Sequence, residues 1–63
     1  MISEYVAKQR AQVLLTAMLG SKLVDLWWSS PNKAFSEETP ADAWVKDYAK
    51  VYNYVMRHAD GGW

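Results

Sequence analysis

The stretch Trp27-Trp28-Ser29-Ser30-Pro31-Asn32-Lys33-Ala34-Phe35-Ser36-Glu37-Glu38-Thr39-Pro40 decides the fold, because it ends one helix, carries an aromatic residue around a corner and starts another. Pro31 cannot continue a helix, and the residue before a proline is pushed out of the helical region. Ser30-Pro31-Asn32 therefore reads as an ordered turn. Phe35, a single aromatic between two helices, reads as an anchor that plugs the core. Thr39-Pro40-Ala41-Asp42 is a strong helix start: a threonine cap, proline at the first helical position and an acid at the third.

Working outward, a third helix is expected over about residues 40–57. Trp44, Val45, Tyr48, Ala49, Val51, Tyr52, Val55 and Met56 sweep a wide apolar arc, opposite a polar side of Asp42, Lys46, Lys50, Asn53 and Arg57. Upstream, Ser21 can cap a short helix over about 22–28 with Leu23, Leu26 and Trp27 on one side. A first helix runs over about 4–19, with Ser3 as its cap and Gly20 as its stop. On a wheel, Ile2, Val6, Val13, Leu14, Ala17 and Met18 share one side, and Glu4, Lys8, Gln12 and Thr16 share the other. Tyr5, Leu15 and Leu19 fall at or beyond the polar boundary. The expected architecture is an all-α, three-helix domain over residues 1–63, ending in a flexible tail, 59–63. Its apolar arcs are too broad for one hairpin to cover, so a homodimer is expected.

A chain of 63 residues makes one domain, and one this short buries only about 60% of its unfolded surface. Disulfides are excluded because there is no cysteine, and His58 is the lone histidine, so no metal-ligand cluster forms. Four tryptophans and four tyrosines leave packing and self-association to stabilise the fold. Seven basic residues balance seven acidic ones, so no global field draws the chain to nucleic acid or an anionic membrane. The N-terminal residues lack a secretory pattern and no apolar run approaches a membrane span. A cytoplasmic location is the expectation.

The residues of a nucleophilic site are present in type but not in arrangement. Ser29, Ser30 and Ser36 lie around the loop, whereas His58 and Asp60 lie at the far end of the third helix, roughly 27 Å away along a straight helix. Glu37, Glu38 and Asp42 complement the dipole at a helix start. No glycine-rich phosphate loop exists, since Gly20 stands alone and Gly61-Gly62 sits at the end. Helices one and two have the layout of a helix-turn-helix. The second, Ser21 to Trp28, offers no arginine, asparagine or glutamine to read base edges. A pocket among the tryptophans would lack converging polar groups. The chain is thus expected not to be an enzyme and to carry neither cofactor nor metal.

The segment's spacing resembles the antitoxin toxin-binding domain found at the C-terminus of Xre, MbcA and ParS type antitoxins. That family reads approximately Trp-Leu-x-x-Pro-Asn-x-Ala-Leu-x-Gly-x-Thr-Pro. Trp27, Pro31, Asn32, Ala34, Thr39 and Pro40 sit at matching offsets, with Trp28 and Phe35 in the leucine positions and Glu37 in place of the glycine. Members usually carry a helical DNA-binding domain ahead of this segment, whereas here only the first helix precedes it. The resemblance implies a small helical module that dimerises and binds a toxin, often an enzyme that consumes NAD. On this reading the chain occludes a partner protein through the third helix, the aromatic loop and the tail, with Trp28, Pro31, Asn32, Phe35, Trp44 and Trp63 as contact candidates. Trp27 and Trp44 are expected to be the more buried tryptophans, and Trp28 and Trp63 the more exposed. Trp63 has two readings, folded back onto the third helix or docked into a partner. Two other classes fit the composition: a phage or mobile-element accessory protein that binds a host enzyme or nucleic-acid machine, and a structural homo-oligomer subunit.

Overall fold

The computed structural model describes residues 2–60, which form three α-helices and one short 3-10 turn, with no strand among the described residues. Helix α1 spans Glu4–Leu19, α2 Ser21–Ser29, and α3 Pro40–Ala59; the 3-10 turn Lys33–Phe35 lies between the last two. Each helix packs against the other two, and the 3-10 turn packs against α3. The small all-α fold expected from the sequence is therefore what the chain adopts. Trp63 and the rest of the tail beyond Asp60 lie outside the described residues.

Helix ends follow local chemistry. The Ser3 side chain accepts the Val6 N–H at 3.2 Å, and the Thr39 hydroxyl accepts the Asp42 N–H at 3.1 Å, each satisfying a donor that the first turn leaves free. Gly20 ends α1 with φ of 86°, a left-handed backbone that glycine adopts without steric cost, and its N–H donates to the Thr16 carbonyl at 2.9 Å. The turn at Gly20 is so tight that Ser21 is already the first residue of α2. It is not a side-chain cap, and no side chain caps that helix.

The buried faces depart from the expected ones. On α1 the core residues are Ala7, Ala11 and Leu15, spaced i, i+4, i+8, while Val13 and Ala17 face outward. The face is turned by about a third of a revolution from the one that side-chain hydrophobicity picks out. Alanine adds little to a hydrophobicity sum, yet its bare methyl lets two helix axes approach closely, which is what a helix packed on two neighbours requires. Lys8 and Gln12, expected on the polar side, instead bring their head groups to Trp28, the Lys8 ammonium over its ring and Gln12 Oε1 accepting its indole N–H.

The same correction applies to α2, where Val24 and Trp28 are buried and Leu23 and Leu26 are exposed. On α3 the core takes Pro40, Ala43, Trp44, Val51 and Val55, leaving Val45 86% exposed. Tyr54, outside the expected arc, is half-buried against Trp27 and Phe35. Helix α3 also breaks at Asp47, with φ of −159° and ψ of 85°. No proline or glycine stands there, and no residue type in the stretch announces the break.

Candidate functional site

The motif segment folds into a closed corner built on Asn32. Its side-chain Oδ1 accepts the Ala34 N–H at 2.9 Å and starts the 3-10 turn. Its backbone N–H donates to the Glu38 carbonyl at 3.0 Å, and its carbonyl accepts from Phe35 at 3.0 Å and Glu37 at 3.1 Å. One residue therefore holds both ends of the loop, as Asx turns do. Closing so short a loop turns Ser36 and Glu37 into the left-handed region, with φ of 56° and 68°. Glu37 occupies the glycine position of the antitoxin pattern and takes the sign of φ that glycine favours. The Glu38 carboxylate accepts a hydrogen bond from the Lys46 ammonium on α3, which ties the loop's last turn to the helix. That hydrogen bond, and then the charge of Glu38, raise Lys46 above its ordinary pKa of 10.5.

The six contact candidates separate into different environments. Phe35 and Trp44 are 2% and 4% exposed, and Trp28, expected at the surface, is only 9% exposed. Trp28 turns inward on the same side of α2 as Val24, one turn before it, and both are buried. Its indole N–H donates to Gln12 Oε1, and its ring meets Trp27 edge-on at 5.1 Å and Trp44 at 5.7 Å. Trp27, expected to be the deeper of the pair, is half-buried and stacks on Tyr54. The corner thus brings Trp28, Phe35 and Trp44 together as core and leaves Pro31 exposed and Asn32 half-buried at the surface. Trp63 falls outside the described residues.

Above the tryptophans sits the Lys8 ammonium, 4.5 Å from the Trp28 ring centroid and 5.1 Å from that of Trp44. This is cation–π geometry over two ring faces. The Trp44 Nε1 is buried and has no hydrogen-bond partner among the described residues. At the far end of α3, His58 Nδ1 lies 2.9 Å from the Tyr54 carbonyl and its ring 4.1 Å from that of Tyr54. No group of three potential metal ligands occurs among the described residues, and no helix there is long and apolar enough to cross a membrane.

The surface that sequence reasoning missed is the outer face of α1. Tyr5 is 70% exposed and Val13 68% exposed, two turns apart on one side of the helix. Gln9 stands between them and donates from Nε2 to the Tyr5 hydroxyl at 2.9 Å. A groove of about 350 Å³ runs on one side of this ridge, lined by Gln9, Arg10, Val13, Leu14 and Met56. A second, of about 490 Å³, runs on the other, lined by Tyr5, Lys8, Gln9, Gln12 and Val13. The wheel placed Val13 on the buried side, so the signal for this surface was present and assigned to the wrong neighbour. Exposed Leu23 and Leu26 on α2 and Val45 on α3 complete the large apolar side chains at the surface of the described residues. Compared with family models, with curated proteins and with solved structures, the chain matches none.

Proposed function

We propose that the chain is a non-enzymatic protein-binding module of the kind the antitoxin toxin-binding domains represent, which acts in the cytoplasm by covering a partner protein such as a toxin. The observation that carries this reading is the backbone at Glu37. Where the pattern has glycine the chain bends left-handed, with φ of 68° at Glu37, a backbone that glycine adopts without steric cost and that a glycine position is suited to. The family's two leucine positions add support, because Trp28 and Phe35 are buried as apolar motif positions should be. Tryptophan and phenylalanine here serve the module by holding its shape, and the partner is met by surface residues. Self-association goes with the same reading and has exposed Leu23 and Leu26 on α2 to draw on.

The test is capture from the source cell with the chain as bait, followed by assay of what is captured. A stoichiometric partner whose activity falls as the chain is added is the expected result. An exhaustive capture that returns no stoichiometric partner refutes the reading, and a mass measured by light scattering gives the number of chains in the module.

A further inference from the structure

Both grooves beside the Tyr5–Gln9–Val13 ridge combine apolar side chains with a cation that makes no ion pair among the described residues, Lys8 being held over two tryptophan rings instead. Val13, Leu14 and Met56 line the first together with Gln9 and Arg10. Tyr5 and Val13 bound the second, with Lys8 beside them. No acidic residue lines either groove, and α1 carries none between Tyr5 and Leu19. Glu4, one turn before Lys8 on α1, makes no ion pair with it, and Glu37, Glu38 and Asp42 lie at the start of α3, where Glu38 is taken by Lys46. Arg10 and Lys8 have no carboxylate within ion-pair distance among the described residues. A hydrogen bond from Gln9 to Tyr5 links these two exposed side chains across one helical turn.

We propose that this face of α1 receives a segment of a partner protein that presents apolar anchors flanked by carboxylates. The proposal rests on the reading of the chain as a protein-binding module and supplies the chemistry of what it binds. Apolar anchors fill the grooves over Val13, Leu14 and Met56, and the carboxylates meet Arg10 and Lys8 at the rims, the division between buried core and polar rim found at protein interfaces. A second copy of this chain does not satisfy the surface. In a two-fold pairing the same patch faces itself. Antiparallel helices crossing at Gln9 then set Lys8 against the other chain's Arg10, and parallel ones set each cation against its own copy. Both arrangements oppose like charges.

The experiment uses the full chain, isotopically labelled, and two designed helical peptides with leucines at i, i+4 and i+7. One peptide carries glutamate at the flanking positions and the other lysine. The glutamate peptide is expected to bind, moving the amide signals of Gln9, Arg10, Val13, Leu14 and Met56, while the lysine peptide does not. Arg10→Glu should weaken that binding by about tenfold or more, and added salt should weaken it in the wild-type chain. Val13→Gln should weaken it without altering helicity by circular dichroism, since Val13 is exposed in the free chain. Equal binding of the two peptides, signals that move elsewhere, or indifference to Arg10→Glu would overturn the proposal. So would stronger binding to vesicles containing anionic phosphatidylglycerol than to the glutamate peptide. A natural partner retained equally by wild type, Arg10→Glu and Val13→Gln would leave the module reading standing and remove this one. Absence of any natural partner would remove the module reading and this proposal with it, and a bound glutamate peptide would then show only the preference of the surface for acidic, apolar segments.

Discussion

Replacing Glu37 by glycine should make this protein more stable, although it removes a side chain and loosens the unfolded chain. Glu37 has φ of 68°, a region that costs an L-residue about 1–2 kcal/mol because its Cβ crowds the following carbonyl. Glycine escapes that cost but surrenders about 0.5–1 kcal/mol through its greater freedom when unfolded. The side chain is exposed, and the neighbouring pair with Lys46 belongs to Glu38. Little else is lost, and the difference of the two ranges centres on about 0.75 kcal/mol, or about 3–6 °C in the melting temperature of a domain this small. Glu37→Ala supplies the control, since it keeps the Cβ and therefore the strain, and should melt within about 0.5 kcal/mol of wild type. The assay is thermal and urea unfolding followed by circular dichroism. If Glu37→Gly melts at or below the wild-type temperature while Glu37→Ala is neutral, the left-handed turn is not where the strain resides. The structural support for the antitoxin-like reading would go with it.

Two further outcomes test the packing and the electrostatics. Ala11→Leu should destabilise by about 1–3 kcal/mol through overpacking, because Ala11 is fully buried. Ala17→Leu, on the exposed side, should be neutral within about 0.5 kcal/mol; the hydrophobicity wheel orders the pair the other way, and urea melts of both variants separate the two. Because Glu38 holds the Lys46 pKa above 10.5, the pair's contribution is complete below that value and disappears as the pH rises through the higher folded pKa. Glu38→Gln should return Lys46 toward 10.5 in an NMR titration of its side chain and should remove that alkaline loss of stability.

Helix boundaries were legible because they depend on a few adjacent residues. Ser3, Gly20, Pro31 and Thr39-Pro40 each act on backbone groups within one turn, and the observed ends of α1 and the start of α3 coincide with them. Ser21 was misread since it can serve equally well as a cap or as a first helical residue. The tight left-handed turn at Gly20 decides between them. Phe35 was legible as an anchor, for an aromatic ring in a short loop between helices has little room except the core. The candidate site was less legible. Trp27 and Trp28 are adjacent and chemically identical, and only the direction from which α2 meets α1 selects Trp28 for the interior.

By itself, then, the amino-acid sequence determined that this chain is helical, where α1 and α3 begin, where the corner lies and that Phe35 closes it. Those features are set by short-range hydrogen bonding and by the conformational limits of proline, glycine and threonine. The tertiary structure decided which faces are buried, which is a property of neighbours and not of a helix alone. Small side chains at Ala7 and Ala11 admit close packing that no hydrophobicity sum rewards. Once that face is turned inward, Val13 and Tyr5 are left outside, and the apolar ridge of α1 faces solvent.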